Sequence, residues 1–195
     1  KYNLIRTRMS VYKYCMIHTP WKHEIIDNFL DQSDFNFLSN VNLNTPSLTG
    51  VEFSKNKVWK NKSESAGLPE KFLRSFYNRY FHRCVNILRQ HAPERAGSVQ
   101  FMELNVVDTG KHFEFPVHWD SKTKLLSCVV YLQPEHNIGT IMYETKHGDE
   151  VSRCDWKQNR CFIFARNSNT WHSYRSDGVN SRRTLVLNLR GPKFR

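Results

Sequence analysis

The chain has 195 residues, of which 39% are hydrophobic, 13% aromatic and 24% charged. That balance suits one packed globular core and excludes a disordered or low-complexity protein. A formal net charge of +11 favours anionic encounter partners without choosing among nucleic acid, acidic lipid and a small charged substrate.

The first elements carry helical spacing. Residues 21 to 42, "WKHEIIDNFLDQSDFNFLSNVN", read as two short helices, with Ser33 the N-cap of the second. The polar segment that follows, punctuated by Pro46, Gly50 and Gly67, reads as loop with one short strand, "VEFS". From Pro69 to His91 the residues Phe72, Leu73, Phe76, Tyr80, Phe81, Cys84 and Leu88 recur at three- and four-residue steps, which predicts a helix whose aromatic stripe packs on a sheet. Pro69 suits its first turn and Pro93 ends it.

After residue 98 the pattern turns to strands. "SVQFMELNVVDTG", "KLLSCVVYLQ", "GTIMYET", "NRCFIFAR" and "RRTLVLNLR" are β-rich runs separated by turn residues. Helices followed by a series of strands predict an α+β, mainly β chain with an antiparallel sandwich or barrel. The expected organisation is a single domain, 1–195, with a helical and loop flank over 1–97 and a β core over 98–190.

Other features narrow the setting. The five cysteines, Cys15, Cys84, Cys128, Cys154 and Cys161, form no C-x-x-C pair and cannot all pair within one chain. Reduced thiols in an intracellular, cytoplasmic setting are the expectation. No run approaches the ~20 apolar residues of a membrane helix, and the start of the chain lacks the apolar core of a signal peptide. The chain opens on Lys1 rather than methionine, which leaves open whether the residues there are native. Basic residues are scattered, with local groups at 55–62 and 181–195, so a solvated basic surface is favoured over a dedicated nucleic-acid face.

The chemistry concentrates in "FEFPVHWDSK", residues 113–122. Residues two apart in a strand point to one face, so His118 and Asp120 can offer an imidazole nitrogen and a carboxylate to one metal ion. His172, in "NSNTWHSYRSDG" after the strand "CFIFA", is the third ligand of choice. His112, His136 and His147 lie in turns, and Cys128 and Cys161 lie inside strands, where a thiol is inert. Two histidines and one carboxylate leave half an octahedron open, which suits non-haem Fe(II) and oxygen chemistry; zinc shares these ligand types, but its usual spacings are missing. In the last strand Arg183 shares a face with Leu185, Leu187 and Leu189, so Arg183 rather than Arg182 is expected inside, paired with a protein carboxylate or a ligand anion.

The set His118-Trp119-Asp120, His172 and, after ten intervening residues, Arg183 resembles the Fe(II)- and 2-oxoglutarate-dependent oxygenase superfamily of prolyl-hydroxylase and phytanoyl type. The resemblance covers roughly residues 99–190. "YLQPEHNIGTIMYE" is similar to the family's strand, loop and Gly-Thr segment, and "NRCFIFARNSNTWHS" to its Phe-rich strand before the distal histidine. It implies a double-stranded β-helix, a cupin-like jelly roll, behind N-terminal flanking helices. It also implies that His118, Asp120 and His172 bind Fe(II), that Arg183 pairs with the distal carboxylate of 2-oxoglutarate, and that O2 is the oxidant. Asp120 favours hydroxylation, because halogenating relatives lack this carboxylate. Prolyl hydroxylases often carry tyrosine where this chain has Phe115, so Tyr131 or Asn105 is expected to supply a hydrogen bond to 2-oxoglutarate. The implied substrate is a small molecule or a side chain, anionic by the charge of the protein; nucleic acid is disfavoured, since "RRTLVLNLR" matches the nucleic-acid demethylase ending poorly. The rival expectation is a non-catalytic basic binding module on a jelly-roll fold.

Overall fold

The computed structural model describes residues 16–43 and 51–193. Cys15, Pro46 and Gly50 lie outside the described residues. The described chain is mainly β, with two α-helices and two antiparallel sheets.

In chain order the elements are β1 (Glu24–Ile26), α1 (Gln32–Asn40), β2 (Val51–Val58), β3 (Ser63–Glu64) and α2 (Glu70–His91), then a 3-10 turn (Pro93–Ser98). There follow β4 (Phe101–Thr109), β5 (Glu114–His118), β6 (Lys124–Gln133), β7 (Thr140–Tyr143), β8 (Glu150–Cys154), β9 (Cys161–Ala165), β10 (Trp171–Arg175) and β11 (Arg182–Arg190). The larger sheet has the order β1-β9-β6-β11-β4-β2-β3 and the smaller β5-β10-β7-β8.

Helix α2 forms where the stripe predicted it. Leu73, Phe76, Tyr80, Cys84, Ile87 and Leu88 are buried in one cluster with Leu104, Cys128, Ile163 and Leu187 of the larger sheet. A second cluster, Trp21, Tyr131, Met142, Cys154, Phe162 and Phe164, lies on the other face of that sheet. The larger sheet is therefore covered on both sides.

Three expectations need correction. The first half of 21–42 is not helical: Glu24–Ile26 pairs antiparallel with Cys161–Ile163, because its apolar residues are used in alternation at the sheet edge. Helix α1 begins after Asp31, not at Ser33. Finally, "VEFS" opens an eight-residue strand, β2, paired along β4, so the flank before residue 98 supplies strands as well as helices. One glycine is dictated by packing: a Cβ on Gly139 would fall 1.7 Å from the Cys154 carbonyl oxygen, so only glycine lets β7 start against the end of β8.

Candidate metal centre

The two sheets enclose a cavity of about 500 Å³. His118 is the last residue of β5, and His172 stands opposite it on β10 in antiparallel register. His172 thus occupies a strand of the smaller sheet, where the sequence placed it only after a strand. Asp120 lies two residues beyond His118, outside the strand, and is brought back by the turn. One ligand atom from each of His118, Asp120 and His172 lies within 4.8 Å of the others.

The local hydrogen bonds prepare these groups as ligands. His118 Nδ1–H donates to the Pro116 carbonyl at 2.9 Å and His172 Nδ1–H to the Thr170 carbonyl at 2.9 Å. A carbonyl can only accept, so each Nδ1 carries the proton and each Nε2 presents its lone pair. Burial pushes His172 down to about 4 and lowers His118 as well, which keeps both rings neutral at pH 7. Burial alone would raise Asp120, but the Lys124 ammonium foremost, with the Ser127 hydroxyl, holds its carboxyl below the usual range. Lys124 Nζ and Ser127 Oγ each donate to one Asp120 oxygen. Arg166 Nε donates to the Asp120 backbone carbonyl at 3.2 Å.

The arginine expectation is reversed. Arg182 lines the cavity, whereas Arg183 lies outside it. Arg183 makes a two-pronged ion pair with Asp108, both bonds 2.6 Å, and donates to the Val41 carbonyl at 2.8 Å after α1. Side chains do alternate along β11, but the apolar face carrying Leu185, Leu187 and Leu189 belongs to the helix-side core. Arg182 is 3% exposed, and its Nη1 has no hydrogen-bond partner. Its guanidinium carbon lies 4.1 Å from the Tyr174 ring centre and 5.2 Å from that of Trp156. No carboxylate among the described residues pairs with it, and burial lowers its pKa. A buried guanidinium without an anion is costly, so the cavity offers a berth for a carboxylate.

The two remaining cofactor-binding expectations divide. Asn105 lines the cavity, donates to Glu103 at 2.8 Å and leaves its buried Oδ1 without a partner. Tyr131 does not line it: its ring stacks on Trp156, and its hydroxyl bonds with the Thr140 hydroxyl and amide, both at 2.9 Å. Thr140 is the residue that faces the cavity there. Sequence reasoning also missed Lys124, Ser127, Thr140 and Thr184 on the cavity wall; isolated polar residues in apolar runs were their only signal. Phe115, stacked on Tyr174 at 10° and edge-on to His118, supplies an apolar wall.

No helix among the described residues is long and apolar enough to cross a membrane, and the four described cysteines are free and buried.

No family model matches the sequence, and no curated protein sequence matches it. Solved structures do resemble it. A 2OG-Fe(II) oxygenase-family oxidoreductase from Burkholderia pseudomallei superposes with a TM-score of 0.62 at 11% identity, covering 88% of this chain and 86% of that one. A prolyl-4-hydroxylase from Pseudomonas putida gives 0.52 at 14%, covering 87% and 92%. A prolyl hydroxylase from Trichoplax adhaerens, in complex with a hypoxia inducible factor peptide fragment, gives 0.51 at 16%, covering 86% and 82%. The chain has the fold of these oxygenases, in keeping with the resemblance read from its motifs.

Proposed function

We propose that the chain is a 2-oxoglutarate- and Fe(II)-dependent oxygenase that hydroxylates an organic substrate. The two sheets are then the major and minor sheets of a double-stranded β-helix, within a single domain spanning 1–195. The observation that carries the reading is the meeting, in one cavity, of the His118, Asp120 and His172 ligand atoms with the unpartnered guanidinium of Arg182.

The donor set fits the metal: two neutral imidazole nitrogens and one carboxylate leave a face open for other ligands. The cavity fits the cosubstrate. Arg182 meets a distal carboxylate, Thr184 and Thr140 add hydroxyls, and Val107, Val129 and Val186 enclose a short hydrocarbon chain. Asn105, with its partner-free Oδ1, stays a polar contact within this wall, while Arg183 and Tyr131 are left with structural roles. Iron with 2-oxoglutarate and O2 supplies the oxidation when bound, releasing succinate and CO2. The protein holds the ligand set rigid: Lys124, Ser127 and Arg166 fix Asp120, and the Pro116 and Thr170 carbonyls fix the rings. An intact ligand set favours this reading over a non-catalytic basic binding module. The substrate is a small molecule or an exposed side chain, and the structure described with a peptide is the precedent for the latter.

Anaerobic titration of the apo-protein with Fe(II) and 2-oxoglutarate tests the proposal. The expected result is a weak visible charge-transfer band that disappears on admitting O2 and leaves succinate. A folded protein that gives neither band nor succinate would sink it.

A further inference from the structure

A second buried arginine lies outside the cavity that Arg182 lines. Arg166, at the end of β9, is 3% exposed. Its Nε is spent on the Asp120 carbonyl, and its guanidinium lies 5.6 Å from the Trp119 ring centre. Among the described residues its terminal nitrogens have no acceptor and no carboxylate pairs with it. It lines a separate cavity of about 380 Å³ between the chain at 18–22, the end of α2 with the 3-10 turn, and the β9–β10 loop.

The lining of that cavity is cationic. Lys22, Arg95 and Arg166 stand against one carboxylate, Glu94, which is largely exposed and paired with Arg95 at 3.1 Å. Lys22 donates to the last carbonyls of α2, at 2.7 Å to Gln90, so its charge is placed but not neutralised. Asn169 and Thr170 add polar groups to the wall. A guanidinium fork open to the cavity amid excess positive charge is the chemistry that selects a phosphate or carboxylate over a neutral group.

The position relates this cavity to the reacting centre. Arg166 touches Trp119 and Asp120, and Thr170, in the same wall, orients His172. Trp119, 41% exposed, stacks on Trp171 at 4.6 Å, making an aromatic rim beside the ligand set. We infer that the Arg166 cavity binds the phosphate or carboxylate end of the substrate and so anchors it beside the metal. The substrate part of this inference rests on the oxygenase reading; the anion site does not.

The test begins on the full-length apo-protein, without iron or 2-oxoglutarate. Inorganic phosphate is titrated while tryptophan fluorescence, with Trp119 as reporter, and phosphorus NMR line width are followed. Saturable, salt-sensitive binding is expected, weakened roughly ten-fold or more by Arg166→Met, since the charge-assisted hydrogen bonds are lost. Arg166→Met also gives up the hydrogen bond to the Asp120 carbonyl, so a thermal melt without phosphate checks that the variant is folded before its affinity is compared. Asn169→Asp, at an exposed position, places a carboxylate at the rim without disturbing the core and should weaken phosphate to a similar degree. Absence of binding at millimolar phosphate, or equal binding by all three proteins, would overturn the site. The source of the anion is then resolved with iron and 2-oxoglutarate present. Alkyl phosphates and alkyl carboxylates beyond a threshold chain length should raise succinate formation where inorganic phosphate does not. Binding without any such stimulation, in a protein that still turns over 2-oxoglutarate, overturns the substrate assignment. A protein that binds phosphate through Arg166 yet never consumes 2-oxoglutarate upholds the anion site and removes the oxygenase reading.

Discussion

The two faces of the larger sheet are built to different ends. Toward the helices, β4, β6 and β11 present Met102, Leu104, Val106, Cys128, Val130, Leu185 and Leu187, a continuous apolar layer closed by α2. Toward the smaller sheet the same strands present Asn105, Val107, Ser127, Val129, Arg182, Thr184 and Val186, which leave a cavity. Both faces are covered, yet only the first is filled. The lesson is that burial and apolarity separate in a sheet covered twice: one face carries stability, and the other is freed to carry polar groups that a ligand must complete.

The sharpest contrast comes from adjacent residues of β11. Leu187→Ala should cost about 2–5 kcal/mol in urea unfolding and leave ligand affinity unchanged, because the removed atoms vacate a packed core. Val186→Ala should cost about 1 kcal/mol or less, since its side chain borders space that is already open. Equal losses would erase the distinction between the faces. On the cavity side, His172→Ala should retain the fold and weaken Fe(II) binding by more than about 100-fold, read by metal titration, because a missing ligand costs more than a missing supporting contact.

The neighbouring arginines divide the same way. Arg182→Met should weaken 2-oxoglutarate about 10- to 100-fold, the worth of hydrogen bonds to a charged group, with stability held or improved. Arg183→Met should instead lower stability by about 1–3 kcal/mol through loss of the Asp108 pair and the α1 carbonyl, with 2-oxoglutarate affinity intact. The reverse pattern would restore the reading made from strand parity. The smallest effect belongs to the rim, where Asp27, between β1 and α1, pairs with Arg160 and Lys157. Arg160 foremost, with Lys157, holds the Asp27 carboxyl down at about 2, below its ordinary 3.8. Its stabilisation is therefore complete above pH 3.8 and is lost as the pH falls through about 2. Comparing acid denaturation of wild type with Asp27→Asn should show a modest difference that closes over this window.

The sequence made much of this legible where one physical rule governed. The three- and four-residue steps of α2 and the alternation of β4, β6 and β11 were visible because a single packed face selects them. His118, Asp120 and His172 were found as a set, from ligand chemistry and order along the chain. Residues 21–26 misled because a short edge strand packed beside helices uses the same apolar residues a helix would. Strand β8 escaped notice because Glu150 and Val151 face solvent and leave no alternation to read. Arg182 was hidden by the assumption that the inward face is the apolar one, and Lys124 and Arg166 gave no local signal, since what matters is the carbonyl or carboxylate the fold brings to them.

The distribution of sulfur carries one more consequence. Among the described residues neither cysteine nor methionine lines the main cavity; Cys84, Cys128 and Cys161 belong to the helix-side core, and Cys154 and Met142 lie behind the wall. On the proposed oxygenase reading, a site so lined wears out through its rings. In prolonged turnover without substrate, Phe115, edge-on to His118 with ring centres 4.4 Å apart, is the side chain best placed to take up the misdirected oxygen. Peptide mapping of the spent enzyme should find a single added oxygen atom on the segment around Phe115 or Tyr174, with the buried thiols unmodified.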